Sequence, residues 1–312
     1  MAQFTDVKSL HLQGHSEKAQ LVLTEYRTPS EIVALQKVTV RRSDNYLLRE
    51  ITWTVSAGEH WVVLGPNGSG KSTLLMVLYG EIYPSSGITT LLGEQLGRID
   101  LTQLRKSIGR VLPSVRDFLR SSILVNELAL AMATGHLEYW WSNPTPETIE
   151  RTAKLLELWN LSSCAHRPIA TLSSGEFRRL ELALSQINTP ALLLLDEPFA
   201  NLDLGLREDI LSYIDLIQSR TSYLQASVVV LHHLEEISPN TTHVLLLTNG
   251  EIVDQGPKDK ILTSEAITRC FGREIEVVKH GSRYSAHSQP TDPLTSWIPQ
   301  DRSLSWGAIH GS

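Results

Sequence analysis

The sequence of 312 residues predicts an α/β fold from three local patterns. His60–Leu64 is a continuous apolar run, typical of a parallel strand that is buried on both faces. A glycine-rich turn and a helix-forming stretch follow it in residues 65–80. Residues 191–197 (ALLLLDE) form a second apolar run, which ends in two carboxylates. A strand, a glycine turn and a helix in this order open an α/β unit.

Composition and charge narrow the class of protein further. Hydrophobic residues make up 41% and charged residues 20% of the chain, which is typical of a globular protein. The net charge of −6 argues against a main role in coating nucleic acid, and we expect no nucleic-acid partner. The two cysteines, Cys164 and Cys270, are too few for a disulfide framework or a four-ligand zinc site, so we predict free thiols in a reducing cytosol.

The expected localisation follows from the absence of two sequence signals, a membrane-spanning segment and a secretory signal. No apolar stretch approaches the roughly 18–20 residues that span a bilayer, and the N-terminus has no secretory pattern. We therefore expect a cytoplasmic protein that acts at a membrane only through a partner.

Apolar periodicity and composition divide the chain into segments. Short β-branched or apolar runs predict further strands, and Asn249-Gly250 is a hairpin-type turn signal. These strands are Ile32–Leu35, Ile51–Val55, Ser227–Leu231 and His243–Leu247. Residues 1–30 are predicted to be a poorly ordered extension, 31–272 the folded domain, and 273–312 a flexible tail with a serine-, proline- and glycine-rich end.

The middle of the folded domain is predicted to be helical over about residues 114–188. Pro144, Thr145 and Glu147 precede one periodic run. A second run places four apolar side chains on one helix face: Phe177, Leu180, Leu184 and Ile187.

Residues 65–72 (GPNGSGKS) match the phosphate-binding pattern G-x-x-x-x-G-K-[ST]. Glycines at 68 and 70 let the backbone approach phosphate oxygens, where a Cβ would obstruct it. Lys71 can reach the β- and γ-phosphates, the Ser72 hydroxyl can bind Mg²⁺, and Thr73 adds a donor. The predicted nucleotide-binding residues of this loop are Gly65, Pro66, Asn67, Gly68, Ser69, Gly70, Lys71, Ser72 and Thr73.

The carboxylates at the end of the second apolar run predict the chemistry of the site. A buried strand that ends in Asp196 and Glu197 can deliver the first carboxylate to Mg²⁺ and the second to an attacking water. Alone the pattern is weak, because many core strands end in aspartate. Together with the phosphate loop it predicts hydrolysis of a nucleoside triphosphate.

Residues 172–176 (LSSGE) open a predicted helix, where Ser173 and Gly175 could form a second anion site. An ordinary N-cap with a charged first turn is the alternative. The position shortly before the carboxylate strand, in a chain with a phosphate loop, favours the anion site.

The ordered set of phosphate loop, LSSGE, LLLLDEP and His232 resembles that of ATP-binding cassette (ABC) ATPases over about residues 31–265. The resemblance implies a RecA-like P-loop NTPase core, an antiparallel β subdomain and a helical subdomain insert. It also implies ATP and Mg²⁺ as ligands. Two cassettes, as a homodimer or another pair, would close on ATP, which lies between the phosphate loop of one and the signature of the other.

The resemblance assigns a role to each matching residue. Asn201-Leu202-Asp203 would form the D-loop, and His232 would be the switch histidine, with His233 as the alternative. The signature would consist of Leu172, Ser173, Ser174, Gly175 and Glu176. A competing hypothesis treats His232, His233, Glu235 and Glu236 as a metal site.

The chain departs from the family pattern at three places. Ser174 and Glu176 replace the glycine and glutamine of the usual signature, which could reduce the ATPase rate or affinity. No glutamine follows Ile108–Val111 nearby, and Ser114 is the candidate substitute.

The third departure is the residue that stacks on adenine, for which Arg42 or Tyr46 is the candidate, since either an arginine plane or an aromatic ring can stack on a base. A solvated strand end is the alternative for Arg41-Arg42.

The combined prediction is an ATPase with Lys71, Glu197 and His232 as its catalytic residues. The leading hypothesis is that it powers an ABC transporter through separate transmembrane subunits, on the cytoplasmic face. The aromatic cluster at residues 137–141 is a candidate partner surface or part of the core. The alternative is a soluble ABC ATPase with a regulatory or assembly role. A P-loop kinase is disfavoured because LSSGE and the D-loop have no role there.

Overall fold

The computed structural model describes residues 30–111, 120–134 and 143–288. The predicted N-terminal extension, apart from Ser30, lies outside the described residues. So do Ser114, the aromatic cluster at 137–141 and the last part of the predicted tail, 289–312.

Strands and helices alternate along most of the described chain. The strands are β1 (Glu31–Arg42), β2 (Asn45–Ser56), β3 (His60–Leu64), β4 (Ser86–Leu91), β5 (Glu94–Gln95), β6 (Ile108–Val111), β7 (Leu192–Asp196), β8 (Ala226–Val230), β9 (His243–Thr248), β10 (Glu251–Pro257), β11 (Glu276–His280) and β12 (Arg283–His287). The α-helices are α1 (Lys71–Leu78), α2 (Leu101–Lys106), α3 (Val125–Ala133), α4 (Pro146–Leu158), α5 (Ser174–Ser185), α6 (Leu204–Arg220), α7 (Lys258–Ile261) and α8 (Ser264–Phe271). Short 3₁₀ turns lie at Ser162–Cys164, Ile169–Thr171 and Leu234–Glu236.

The central sheet has six strands in the order β10-β9-β3-β8-β7-β6. All neighbouring pairs from β9 to β6 are parallel, and β10 pairs antiparallel to β9 at one edge. Every residue of β3, β7 and β8 is buried. This confirms the prediction that the apolar runs form parallel strands covered on both faces.

Side chains alternate between two cores on the opposite faces of this sheet. Val62 and Leu64 of β3 belong to one core, and Trp61 and Val63 of the same strand belong to the other. This period of two is what a strand imposes, so an apolar residue is needed at every position.

A second sheet has four antiparallel strands in the order β2-β1-β4-β5. Its buried side chains pack in the same hydrophobic core as those of α1. It corresponds to the expected antiparallel β subdomain. The predicted hairpin at Asn249-Gly250 is confirmed, since both residues have a positive φ, of 49° and 76°, between β9 and β10.

The described part of the predicted helical region contains α3, α4 and α5. Thr145, one of the predicted start signals, is the N-cap of α4, and Pro146 is its first residue. In α5 the predicted apolar face of Phe177, Leu180 and Leu184 is buried. The assignment of residues 114–188 as one subdomain stays a prediction.

The predicted boundary at residue 272 is wrong, because ordered structure continues to residue 288. β11 and β12 form an antiparallel hairpin, in which Glu276 pairs with His287 and His280 pairs with Arg283. Tyr284 of this hairpin is 4% exposed. The hairpin is short and mostly polar, so its order depends on contacts with distant parts of the chain rather than on a local pattern.

Within the described residues, no helix is both long and apolar enough to cross a membrane.

Candidate active site

The order of strands in the central sheet brings the predicted site residues to one edge. β3, β8 and β7 are parallel neighbours, so their carboxyl ends lie side by side. The phosphate loop follows β3, Asp196 ends β7, and His232 follows β8 closely. Ligands of open α/β sheets bind at this edge.

The phosphate loop turns on glycine and leads directly into α1. Gly70 is the N-cap of α1 and has a φ of 105°, in the left-handed region. A Cβ at this position would lie 2.6 Å from the backbone oxygen of Leu47, so the close approach of two backbones excludes a side chain. A Cβ on Gly68 would meet no described atom within 4 Å, and there glycine is needed for the φ of 76° alone.

Lys71 lies in the loop with its ammonium group folded back on the backbone. Nζ donates to the carbonyl oxygens of Gly65 and Pro66 at 2.8 and 2.9 Å, and the residue is 5% exposed. Burial lowers the pKa of Lys71, and the nearby carboxylates of Glu197 and Asp196 oppose this shift. The charge is therefore close to the predicted general base, Glu197, and to the predicted Mg²⁺ ligand, Asp196.

Two buried oxygen atoms at this edge have no hydrogen-bond partner among the described residues. They are Oδ1 of Asp196 and Oγ of Ser69. Burial raises the pKa of Asp196, and a hydrogen bond from Ser72 opposes the shift. A buried carboxylate oxygen without a partner is costly unless a ligand satisfies it, and carboxylate and hydroxyl oxygens are the donors that Mg²⁺ prefers. Asp196 and Ser72 therefore fit a Mg²⁺ site.

Glu197 lies at the turn that ends β7. Its φ is 48°, which is uncommon for a residue other than glycine. Its amide donates to the carbonyl of Val230 at 3.1 Å, which fixes the turn against β8. Such strained positions cluster at functional sites.

His232 faces this carboxylate from the neighbouring strand. Nε2 of His232 lies 2.6 Å from Oε1 of Glu197. The two side chains are 30% and 33% exposed, so they are open to a ligand. His233, the next residue, is the N-cap of the Leu234–Glu236 turn. The contact with Glu197 favours His232 over His233, and the assignment of the switch histidine stays a prediction.

A cleft of about 650 Å³ opens beside these residues. Gly65, Pro66 and Asn67 line one side, and Glu197 and His232 line another. Its dimensions suit a nucleotide-sized ligand. Sequence reasoning did not find its further lining residues, which are Phe199, Ala200, Arg207 and Phe271. Among these, Phe271 belongs to α8, so no local motif connected it with the site.

The competing metal-site hypothesis is not supported by the geometry. Across residues 30–111, 120–134 and 143–288, no three histidine, cysteine, aspartate or glutamate side chains converge to hold a metal ion. Glu236 is instead a buried acid whose pKa is raised by its burial. Its Oε1 atom lies 4.0 Å from Nε of Arg207.

The predicted signature forms the start of α5 as a complete capping box. Ser173 Oγ accepts from the amide of Glu176 at 3.2 Å, and the Glu176 carboxylate accepts from the amide of Ser173 at 2.8 Å. Both Ser173 and Ser174 are exposed, whereas Leu172 and Gly175 are buried. The local hydrogen bonds are thus those of an ordinary N-cap. The exposed residues Ser173 and Ser174 nevertheless remain accessible to a partner.

Glu176 is held by more than the cap. Nη1 of Arg167 and Sγ of Cys164 donate to its Oε1 atom at 3.0 and 3.1 Å. The hydrogen bond from the Ser173 amide lowers the pKa of Glu176 to about 2, and the contacts with Cys164, the Ser173 hydroxyl and Arg167 add to this shift. The replacement of glutamine by Glu176 therefore gives the signature a charged, firmly held first turn.

Gly175 connects the signature to the D-loop helix. A Cβ on Gly175 would lie 2.4 Å from Cδ2 of Leu206, so α5 and α6 approach closely here. Asp203 is the N-cap of α6, and its Oδ1 accepts from the amide of Leu206 at 2.9 Å. The predicted D-loop residue is thus a structural cap beside the signature.

Of the two candidates for adenine stacking, Tyr46 has the better placement. It immediately precedes Leu47, whose carbonyl approaches Gly70 of the phosphate loop. Its ring is 45% exposed, with the guanidinium groups of Arg49 and Arg41 at 4.8 and 5.7 Å. Arg42 is exposed and pairs with Asn45 at the end of the hairpin.

Comparison with known proteins identifies the family of this chain. A family model described as ABC transporter matches residues 48–200. The uncharacterized ABC transporter ATP-binding protein YlmA of Bacillus subtilis (strain 168) is 34% identical over 253 residues, which cover 81% of this chain and 95% of that protein. This chain belongs to the ABC transporter ATP-binding proteins.

Further relatives support the same family. The hemin import ATP-binding protein HmuV of Rhodococcus jostii (strain RHA1) is 31% identical and covers 81% of this chain and 84% of its own length. The crystal structure of the ADP conformation of an ATP-binding cassette of an ABC transporter has a TM-score of 0.67 and 22% identity. The match covers 77% of this chain and 98% of the chain in that crystal structure, and it confirms the RecA-like fold. The ABC protein described here is an ATPase that powers transport.

Proposed function

We propose that this ABC ATPase hydrolyses Mg²⁺-bound ATP in the cleft beside its phosphate loop, with Glu197 as general base and His232 as its partner. The observation that carries the proposal is the 2.6 Å contact between Nε2 of His232 and Oε1 of Glu197, on the wall of that cleft. A base must lie within hydrogen-bond reach of the water it activates, and this carboxylate is open to the cleft.

The phosphate loop would bind the triphosphate. Amides at the start of α1 and the ammonium group of Lys71 would face the β- and γ-phosphates, and Thr73 would add a donor. Nζ of Lys71 would exchange its bonds to the Gly65 and Pro66 carbonyls for phosphate oxygens. Tyr46 would stack on the adenine.

Asp196 and Ser72 would hold Mg²⁺, because the Asp196 carboxylate has an unpartnered buried oxygen and lies beside the Ser72 hydroxyl. When bound, the ion neutralises charge on the β- and γ-phosphates. Glu197 would accept the proton of the attacking water, and His232 would orient Glu197 and contact the γ-phosphate.

Two copies would form the complete site. The residues that line the cleft within the described chain do not include 172–176, while Ser173 and Ser174 are exposed at the tip of α5. We infer that this tip closes on the nucleotide of the second copy, where its hydroxyls and its positive helix end would contact the γ-phosphate.

Mixing two inactive variants tests this arrangement. Lys71→Ala should abolish ATP binding in its own cleft, and Ser173→Arg should block the tip of α5. Each variant alone should be inactive. A mixture should regain about a quarter of wild-type hydrolysis, since random pairing gives about half mixed dimers with one intact site each. A mixture as inactive as its components would contradict a site shared between copies.

The membrane partner is inferred separately. No described helix could span a bilayer, and the names of relatives such as the hemin import protein support an energy-coupling role. We propose that the chain docks on separate transmembrane subunits at the cytoplasmic face. Purification of the tagged chain in mild detergent should recover a membrane protein with several spans. Recovery of the chain alone, with its ATPase intact, would contradict docking on separate transmembrane subunits.

A further inference from the structure

The C-terminal hairpin packs against the turn that follows the switch histidine. The amide of Ala286 in β12 donates to Oε1 of Glu235 at 3.2 Å. The turn Leu234–Glu236 starts two residues after His232. A segment that the sequence predicts to be a flexible tail therefore contacts the loop that carries a candidate catalytic residue.

Arg283 of β12 makes the strongest of these contacts. Its Nη1 and Nη2 atoms each donate to one carboxylate oxygen of Glu208 at 3.0 Å, which is a bidentate pair. Nη2 also donates to the backbone carbonyl of Glu235 at 2.8 Å. The hydrogen bond from Arg283 is the main cause of a lowered pKa of Glu208. The planar guanidinium suits this geometry, which a lysine could not reproduce.

These contacts join three elements, two of which line the cleft through Arg207 of α6 and Glu236 of the turn. Glu208 lies on α6, the helix that Asp203 caps. Glu235 lies in the turn after β8, and Arg283 lies in the hairpin. A typical exposed ion pair contributes little to stability, and Arg283 and Glu208 are 34% and 48% exposed. Arg283 differs from a simple surface pair because it also binds the backbone carbonyl of Glu235, three residues after His232. This bond ties the position of the Leu234–Glu236 turn to α6.

We propose that Arg283 is a positioning residue for ATP hydrolysis, which holds the Leu234–Glu236 turn against α6 and thereby keeps His232 within reach of Glu197. The proposal rests on the catalytic roles proposed above for these two residues. Loss of the arginine would leave the ATP-binding residues in place but allow the His232 loop to shift. Small displacements of catalytic groups have large effects on rate.

The main variant is Arg283→Met, which keeps an aliphatic side chain but removes the guanidinium group and its hydrogen bonds. We expect kcat to fall about 5- to 20-fold while KM for ATP changes less than about twofold. Arg283→Lys should restore only part of the rate. The matched control is Lys279→Met in the same hairpin, because Lys279 pairs with Asp259 at 2.8 Å rather than with the Leu234–Glu236 turn. This control should keep wild-type kcat.

A second comparison separates positioning from a structural role. In a His232→Ala background, Arg283→Met should cause no further fall in kcat, because its effect passes through His232. An equal fall in both backgrounds would contradict the proposal, as would a wild-type kcat for Arg283→Met. If Arg283→Met does not fold, Glu208→Met removes the α6 side of the same bridge and must show the same pattern. If His232→Ala and Glu197→Gln themselves hydrolyse normally, the proposed function fails rather than this inference alone.

Discussion

Nε2 of His232 lies 2.6 Å from Oε1 of Glu197, although 35 residues separate them along the chain. The contact exists because β7 and β8 are parallel neighbours that end at the same edge of the sheet. Glu197 is further fixed by its left-handed backbone and by its amide bond to Val230. The proposed base and its proposed orienting partner are thus already in contact beside the phosphate loop.

Glu197→Gln should bind ATP with near wild-type affinity but hydrolyse it at least about 10²-fold more slowly, because an amide cannot accept the proton of water. It should also accumulate as an ATP-dependent dimer. Phosphate release measures the rate, and sedimentation with ATP measures the dimer.

His232→Ala should lower the rate by a similar order, about 10²-fold, since Glu197 would lose its orienting partner. His233→Ala is the matched control, because His233 also lines the cleft but is the N-cap of the Leu234–Glu236 turn. If His233→Ala reduces hydrolysis more than His232→Ala, the assignment of the switch histidine is wrong.

Glycine-to-alanine changes at positions 70 and 68 should have unequal effects on stability. At Gly70 a Cβ would meet the Leu47 backbone at 2.6 Å, so the loop or β2 must move. Gly68→Ala would cost about 1 kcal/mol for its positive φ, while Gly70→Ala should cost about 2–3 kcal/mol and weaken ATP binding more than tenfold. Urea unfolding and calorimetry with an ATP analogue measure the two quantities. Equal losses would show that Gly70 is not tightly packed.

Glu176 should make the stability of the protein depend on pH. The pKa of Glu176 is lowered from 4.5 to about 2 in the folded state, so its charge stabilises the fold at neutral pH. That contribution is present above the unfolded pKa and is lost as the pH falls towards about 2. Glu176→Ala should lower the free energy of unfolding by about 1–2 kcal/mol at neutral pH, through loss of the cap and of the bond from Arg167.

The difference in unfolding free energy between wild type and Glu176→Ala should therefore shrink from about pH 7 to about pH 3, measured by urea titration. Glu176→Gln is the control, since it retains an acceptor for the Ser173 amide but cannot titrate. A constant difference between wild type and Glu176→Gln over this range would show that the carboxylate is not held in its charged form.

Tyr46→Leu should raise KM for ATP by at least about 5-fold, with little change in kcat, because base stacking contributes about 1–3 kcal/mol. Arg42→Ala should leave KM close to that of wild type. Steady-state kinetics with ATP distinguish the two residues, and a larger effect at Arg42 would reverse the assignment.

Sequence reasoning was most successful where local chemistry dictates local structure. β3 and β7 are apolar at nearly every position because both faces are covered, and this pattern is visible without a structure. The capping box of Ser173 and Glu176 lies within four residues, so its sequence signal is local as well. The departure of Glu176 from the usual signature was visible, but its bonds to Arg167 and Cys164 were not.

By itself, the sequence predicted which residues would carry phosphate, metal and proton chemistry, because glycine turns, buried strands and helix caps are encoded by neighbours in the chain. Only the tertiary structure placed His232 against Glu197, placed Phe271 on the cleft, and showed that residues 276–287 form a hairpin. These features depend on partners far apart in sequence, such as Arg283 and Glu208, which are 75 residues apart. Such contacts form only when the chain folds as a whole, so no local sequence pattern predicts them.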